Sequence, residues 1–462
     1  MLLKNKLDEV KTFLNDRNVL AELEERYCYS VDASNTTPNG KVPDLVVFVE
    51  TLEDVRSLLR YANEHKIPVV ARGAGTNMVG ACVCTSSGIV LNFSKMNKIL
   101  ELNTCNMTIT VQPGAILGDI KKIANEAGLF FPPDPSNFKV STIGGGIAQS
   151  SGGAMSFKYG TIKDYVLSLK VVTADGKLIQ MGCGTIKDAS GYHLAQLMIG
   201  SEGTLGIVVE ATLKLIPKPE QRRTVVAYFN SFDDASNAVS EIIQSHIFPA
   251  AIDFMDKNSI MTVEEFAKCG LDVESECMLL IDADGSEASV DYQIEKISEV
   301  LNNCNVKTYK AAESEEESER FWQARRVSYA ATTRLAPDVL SDDIIVPRDK
   351  LSKMITYCDD ISKKFNLKMC LVGHVGDGNI HPQIALNLDN DEEFKNYQSA
   401  KTEMYKYAIE LGGTISAEHG IGIEKLSYLE NTIDKNSLEY MKSIKRIFDP
   451  NNILNPDKIF KL

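Results

Sequence analysis

The sequence predicts an α+β fold organised as two or three packed domains. Three observations predict it. At 462 residues the chain is longer than one hydrophobic core organises. From Pro43 onward, short apolar strand-like runs alternate with segments whose apolar residues recur at helical spacing. Ile216-Pro-Lys-Pro219 then punctuates the chain, and a second alternation of helix and strand begins beyond it.

The N-terminal residues 1–42 read as a helical segment. The stretch MLLKNKLDEVKTFLNDRN is charged throughout and amphipathic, and the pattern loosens at Asn35–Gly40. It lacks the apolar stretch and cleavage site of a signal peptide, so the cytoplasm is the expected compartment. Strands are expected at Leu45–Val49, Val69–Ala71, Gly88–Asn92 and Met107–Gln112, with helices at Leu52–Lys66 and Leu117–Ala127. Residues 140–215 are rich in glycine and close with strands at Ser168–Thr173 and Thr204–Leu215. Beyond Pro219 the expected elements include Gln221–Phe229, Phe232–Gln244 and Glu276–Asp284. Amphipathic helices follow at Leu351–Phe365 and Asp391–Leu411.

Composition excludes several classes. Hydrophobic content of 44% and charged content of 24% are those of an ordinary globular protein. The net charge of −14 argues against nucleic acid and anionic membranes as partners. No run of 18 apolar residues occurs, so no membrane span is expected. The ten cysteines form no C-x-x-C pair, only Cys82-x-Cys84, which argues against iron–sulfur clusters and structural zinc. Reduced interior thiols are expected.

Glycine clusters carry the first functional signal. Arg72-Gly-Ala-Gly-Thr-Asn77 and Gly80 follow a strand, where glycine lets backbone N–H groups approach phosphate oxygens. The spacing is neither that of a Rossmann turn nor that of a P-loop. More clusters follow. They are Pro132-Pro-Asp-Pro-Ser136, Ser141-Thr-Ile-Gly-Gly-Gly-Ile147, Ser150-Ser-Gly-Gly153, Lys158-Tyr-Gly160 and Gly200-Ser-Glu-Gly-Thr-Leu-Gly206. Used only for turns, so many glycines would be costly in chain entropy. A long ligand lying along the backbone accounts for them.

Histidine carries the second signal. Three of six histidines fall in Gly373-His-Val-Gly-Asp-Gly-Asn-Ile-His381 and Ala417-Glu-His-Gly420. Gly376-Asp-Gly-Asn379 supplies turn chemistry between two strand-like runs, so His374 and His381 flank a turn and can face one another. Two facing histidines, a carboxylate such as Glu418 and an open position make a catalytic metal site. If Glu418 points inward from an extended strand, His419 points away and is available as a base. The alternative is that the histidines only hydrogen-bond the turn. Zinc, iron and manganese all suit imidazole and carboxylate.

Taken together these motifs resemble the flavoprotein family of vanillyl-alcohol oxidase and p-cresol methylhydroxylase. They are most similar to its branch of FAD-dependent D-lactate, glycolate-oxidase-subunit and D-2-hydroxyglutarate dehydrogenases. The resemblance runs from about Pro43 to Asn455-Pro-Asp-Lys458, where the family usually has Asn-Pro-Gly-Lys. It implies a two-subdomain FAD-binding fold over residues 43–219 and an α+β cap with an antiparallel sheet over 220–412. A C-terminal segment, 413–462, would return to the FAD domain. By resemblance, Arg72, Gly73, Ala74, Gly75, Thr76, Asn77 and Gly80 hold the pyrophosphate. Pro133, Asp134, Ser136, Thr142, Gly144, Gly145, Ser151 and Gly152 line adenine, ribose and isoalloxazine. Glu202, Gly203, Gly206 and Ile207 close the nucleotide end, and Asn455 returns to the flavin. Some relatives attach flavin through a histidine in the first glycine loop. Thr76 stands in that loop, which implies non-covalent FAD.

The same resemblance implies one divalent metal (Zn, Fe or Mn) on His374, His381 and Glu418, with His419 as catalytic base and Asn379 near substrate. Arg325 is implied as the residue that binds the substrate carboxylate, and Tyr329 one helical turn on could line the same pocket. A salt bridge to the preceding glutamates is the alternative, favoured for Arg326. The lysine that grips a second carboxylate in 2-hydroxyglutarate enzymes falls near Ser341, which points to a monocarboxylate. The expected activity is D-lactate oxidation to pyruvate, with hydride transfer to flavin N5. Glycolate and D-2-hydroxyglutarate are the alternative substrates. Electrons would pass to an electron-transferring flavoprotein, or failing that to quinone or cytochrome. Two rival classes remain: a metal hydrolase without flavin, and a non-catalytic flavin electron-carrier subunit.

Overall fold

The computed structural model describes residues 4–34 and 40–462. Asn35–Asn39, within the stretch expected to loosen, lie outside the described residues. The chain forms two compact units. The first comprises residues 1–151, 161–218 and 418–462, and the second residues 152–160 and 219–417.

The first unit holds two principal sheets. One contains β1 (Val19–Leu20), β2 (Leu45–Phe48), β3 (Val69–Arg72) and β4 (Ile89–Asn92) in the order β1-β2-β4-β3. The last three are parallel, with Leu45 and Val69 both opposite Ile89. Parallel strands buried on both faces read as unbroken apolar runs, as Leu45-Val-Val-Phe48 does. One face packs on the helix Leu52–His65, which buries Val55, Leu58, Leu59 and Ala62. Burying the three larger side chains stabilises by about 5–8 kcal/mol in transfer terms. Thr51 and Asp54 cap that helix reciprocally, and Lys66 ends it in a left-handed conformation at φ 53°. Val46, Val70, Cys84 and Val90 form the opposite face.

Further along come β5 (Ile99–Asn103), β6 (Thr108–Val111), β7 (Leu129–Phe130), β8 (Val166–Val172), β9 (Leu178–Met181), β10 (Ile207–Lys214) and β11 (Ile216–Pro217). Five of them make an antiparallel sheet in the order β5-β6-β10-β8-β9, and β7 pairs with β11. The chain's C-terminal segment joins the edge of the first sheet, where Leu454 bridges Val69 in parallel.

The second unit is an antiparallel sheet with helices packed on it. Its strands are β12 (Gln221–Phe229), β13 (Ala251–Asp256), β14 (Cys277–Gly285), β15 (Thr308–Ala311), β16 (Asp338–Ser341), β17 (Ile344–Ile345), β18 (Lys368–Gly373) and β19 (Asn379–Leu386). The order is β15-β12-β14-β13-β18-β19-β16, with β17 also paired to β19. Val226, Met255, Leu280 and Val372 from four strands meet Trp322 in one core. The fold is thus the expected α+β one, with the antiparallel sheet beyond Pro219.

One local expectation changes. Residues 1–42 are not helical throughout: Lys4–Phe13 and Leu23–Tyr27 are helices, but Val19 and Leu20 pair with Val47 and Val46. An open sheet edge captures these two residues, and helical periodicity does not register that. The cluster Ile143-Gly-Gly-Gly-Ile-Ala-Gln149, given no element from the sequence, is a helix capped by Thr142, whose hydroxyl accepts the Gly145 N–H.

Candidate functional site

In the first unit most of the glycine clusters contribute to one cavity. Strand β3 ends at Arg72, whose Nη1 donates to Val31 O at 2.7 Å. The loop after it is held by glycines at two positions. A Cβ on Gly73 would lie 2.1 Å from Thr142 Oγ1, and one on Gly75, at φ +76°, would lie 2.3 Å from Arg72 Nη2. Asn77 Oδ1 accepts from the amides of Val79 and Ala81, and its Nδ2 donates to His419 O at 3.4 Å. Gly73, Ala74, Gly75, Thr76, Asn77, Ser136, Thr142, Gly145, Ser151, Glu202 and Gly203 all line the cavity, together with Glu418 and His419. Its empty volume, open mouth included, is about 1020 Å³.

Arg72, Gly144, Gly206 and Ile207 line a smaller cavity whose walls share Gly73, Thr142, Gly145 and Gly203 with the first. Gly80, Pro133, Asp134 and Asn455 line neither. The Pro132–Ser136 motif contributes instead through Pro135 and Ser136, while Asp134 pairs with Lys121 at 2.9 Å. Asn455 is a brace: its Nδ2 donates to Ala81 O at 2.8 Å and Glu202 O at 2.6 Å. Gly152 belongs to the second unit.

Glu202 is buried in a left-handed conformation at φ 52°. Its carboxylate accepts from the amides of Ile421 and Gly422 at 2.7 and 2.9 Å. Burial pushes its carboxyl up, against the pull of those amides and of Lys458 and Lys425. Sequence reasoning passed over Cys82, Asn137 and Gln149, which also line the cavity. Each stands within a few residues of a glycine cluster, which was the available signal. Cys82 is pushed up to about 12 by burial and by the Asp32 carboxylate, so it stays a thiol.

The donor and acceptor set fits a dinucleotide such as FAD. Ser141 Oγ, Gln149 Oε1 and Ser151 Oγ are buried at the cavity and have no protein partner among the described residues. Nor do the backbone amides of Ala74, Gly75 and Thr76. Phosphate and ribose oxygens match such groups.

In the second unit β18 and β19 form the hairpin that carries both motif histidines. Val372 lies opposite His381, and His374 follows β18 directly. The turn closes through Asp377 N to His374 O at 2.9 Å, and Gly378 takes φ +84° where a Cβ would strike Val346 O. The two imidazoles meet edge-on, with ring centroids 5.3 Å apart at 80°.

Two aspartates that sequence reasoning missed organise this end. Asp253, on β13, is 1% exposed. Its Oδ1 lies 2.8 Å from His374 Nδ1, and its Oδ2 lies 2.8 Å from Arg325 Nε. Burial pushes the Asp253 carboxyl up, but the neighbouring His374 and Arg325 outweigh it and hold it below the usual carboxylate value. Arg325 is itself buried, while Arg326 pairs with Glu319, in line with the salt-bridge alternative. Tyr329 donates its hydroxyl to Val339 O at 3.2 Å. Asp343 is fully buried and accepts from Asn379 Nδ2 at 2.9 Å, Ser416 Oγ at 2.9 Å and Ala417 N at 2.7 Å. Asn379 Nδ2 also donates to Ile344 O, so its amide nitrogen is committed to the scaffold. Asp253 within an apolar strand, and the Asp342-Asp343 pair directly before Ile344-Ile345, were the available signals.

Glu418 and His419 sit in a bend, not on an extended strand, and both line the same cavity of the first unit. Strand alternation therefore does not separate their roles.

The chain matches an FAD binding domain over residues 43–182 and the C-terminal domain of FAD linked oxidases over residues 218–459. It is 42% identical over 435 residues to the glycolate oxidase subunit GlcD of Bacillus subtilis, spanning 94% of this chain and 92% of that one. It is 35% identical over 429 residues to a D-lactate dehydrogenase of Anaerostipes hadrus, spanning 90% and 89%. Among solved structures, p-cresol methylhydroxylase with substrate bound has a TM-score of 0.82 at 16% identity. That match covers 99% of this chain and 96% of the other, a likeness of fold alone. No helix among the described residues is long and apolar enough to cross a membrane.

Proposed function

We infer the activity from one premise: this chain belongs to the FAD linked oxidase family and is an FAD-linked oxidoreductase. We propose that it oxidises a small 2-hydroxy acid, D-lactate in the first instance, to the 2-oxo acid. The observation that carries this reading is the buried Arg325, tied through Asp253 to His374. A guanidinium is the natural grip for a carboxylate.

The chain's own residues then divide the work. Arg325 binds and orients the carboxylate. His374, His381 and Glu418 would hold one divalent metal, Zn, Fe or Mn. Asp253 takes Nδ1 of His374, the usual outer partner of a ligating imidazole, so Nε2 would be the nitrogen offered to a metal. Asn379 holds the loop near substrate through Asp343 and Ile344. His419 takes the proton of the C2 hydroxyl. When bound, FAD supplies the two-electron acceptor and the metal a Lewis acid that lowers the hydroxyl pKa. FAD would rest non-covalently on the Arg72–Asn77 loop, Gly80, Ser136, Thr142, Gly144, Gly145, Ser151 and Gly203. Pro133, Asp134, Gly152, Glu202, Gly206, Ile207 and Asn455 complete or brace its bed. With no clustered cysteines in the chain, electrons leave to another molecule, for which we favour an electron-transferring flavoprotein.

A monocarboxylate is favoured because Ser341 stands where the second-carboxylate lysine is expected. Glycolate is the second reading, supported by the 42% identical glycolate oxidase subunit. The test is anaerobic reduction of the bound flavin by a panel of D- and L-2-hydroxy acids. D-lactate should bleach it fastest. Faster bleaching by glycolate replaces the first reading with the second, and faster bleaching by D-2-hydroxyglutarate refutes the Ser341 argument. A protein that is colourless as purified, and takes up no FAD, overturns both.

A further inference from the structure

Among the described residues, Asp253 is the one carboxylate that touches both the arginine assigned to substrate and a histidine assigned to the metal. It sits on β13, whose Phe254 is opposite Gly373 at the end of β18, so the sheet register itself brings it beside His374. Its two oxygens serve different partners. Oδ1 contacts His374 Nδ1 at 2.8 Å, and Oδ2 contacts Arg325 Nε at 2.8 Å. Asp253 is 1% exposed, and the side chains of Arg325 and His374 are 10% and 13% exposed. Water therefore competes little for these contacts.

The contact also decides how Arg325 can present itself. With Nε on Asp253 and Nη1 only 3.5 Å from Ser328 Oγ, Nη2 has no acceptor among the described residues. The Nε···Oδ2 pair is not aligned as a hydrogen bond, so Asp253 holds the buried guanidinium by charge, at 2.8 Å. An acceptor on Nδ1 fixes the ring orientation of His374 and the direction of Nε2.

We propose that Asp253 is a positioning residue that couples substrate-carboxylate binding to metal binding, by holding Arg325 and His374 in one frame. It acts through those two side chains and need not touch substrate. This rests on the metal-dependent hydroxy-acid reading above. One consequence is reciprocity. If Arg325 and His374 share a frame, a carboxylate ligand tightens the metal by the same factor that the metal tightens the carboxylate.

The test is Asp253→Asn in the full-length flavoprotein, which keeps the side-chain shape and removes the charge. Three quantities are read: flavin content, the zinc or manganese dissociation constant by chelator competition, and KM against kcat for D-lactate. Flavin content should be unchanged. Metal affinity should fall by about 10–100-fold, the usual cost of losing an outer partner of a ligating histidine. KM should rise by a comparable factor. A variant that binds metal and D-lactate like the wild type overturns the proposal.

His374→Ala separates this outcome from failure of the underlying reading. If it keeps its metal, the ligand assignment itself is wrong. If it loses metal while Asp253→Asn keeps metal and KM, only the coupling is refuted. Should Asp253→Asn fail to fold, Arg325→Lys carries the test. Coupling predicts that its metal dissociation constant moves by about fivefold or more although Arg325 is no ligand. An unmoved constant overturns the proposal.

Discussion

The carboxylate of Asp343 accepts the backbone N–H of Ala417 at 2.7 Å, and Ala417 is the residue immediately before Glu418. The same carboxylate accepts from Asn379 and Ser416. One buried group thus anchors the strand of the second motif histidine and the chain leading into Glu418.

Asp343→Ala removes that anchor and leaves three buried or half-buried donors without their acceptor. Each such donor costs about 1–3 kcal/mol. Urea unfolding should show a loss of about 3 kcal/mol or more, with flavin still bound at low denaturant. Wild-type stability would mean that solvent or neighbouring groups replace Asp343, and its anchoring role would fail.

The glycine loop makes a sharper prediction. Gly73→Ala sets a Cβ 2.1 Å from Thr142 Oγ1, the cap of the helix Ile143–Gln149. Overpacking of this kind costs about 1–3 kcal/mol, so FAD affinity should drop by about tenfold or more. Flavin content after gel filtration is the readout. A fully loaded Gly73→Ala protein would show that the loop does not contact the cofactor.

His419→Ala tests the base. Anaerobic flavin reduction by D-lactate should slow by about 10²–10⁴-fold, the usual contribution of a positioned base. Flavin and metal content should stay at wild-type levels. Reduction at the wild-type rate would remove His419 from the reaction.

A pH dependence of stability follows from Asp256. It caps the helix Lys257–Ala267 through Ser259 N at 2.8 Å, and burial pushes its carboxyl up from 3.8 to about 6. The folded state therefore holds this proton more tightly than the unfolded chain does. Its contribution to stability is fully present below the unfolded value and is lost as pH rises from about 4 to about 6. Asp256→Asn keeps an equally good cap and has no carboxyl to ionise. Relative to wild type, it should gain up to about 3 kcal/mol between about pH 4 and about pH 7. Urea midpoints measured for both proteins at the two pH values give the comparison. An equal offset at both would show that Asp256 does not titrate in this window.

Much of the candidate site was legible because its geometry is local. Gly75 and Gly378 announce positive φ by being glycine, at +76° and +84°. His374 and His381 face each other because a short turn joins the strands that carry them, and strand pairing across a turn follows from turn chemistry. The parallel strands of the first unit were equally legible, since burial on both faces leaves an apolar run.

What only the tertiary structure decided was long-range. Asp253 meets His374 across 121 positions, and Asp343 meets Ala417 across 74. No periodicity connects such pairs. By sequence, Asp253 in Ala251-Ile-Asp-Phe-Met-Asp256 could face solvent, cap a helix or bind a cation. Only the register of β13 against β18 places Asp253 beside the histidine, and burial then makes its partners obligatory. The bend at Glu418 and His419 was hidden for the same reason: Asn77 and Asp343, far away in sequence, hold the backbone on either side of Glu418. The sequence by itself determined which residue types carry the chemistry and where the backbone must turn. Sheet register and burial determined which of those residues act together, because both are properties of the whole packed chain.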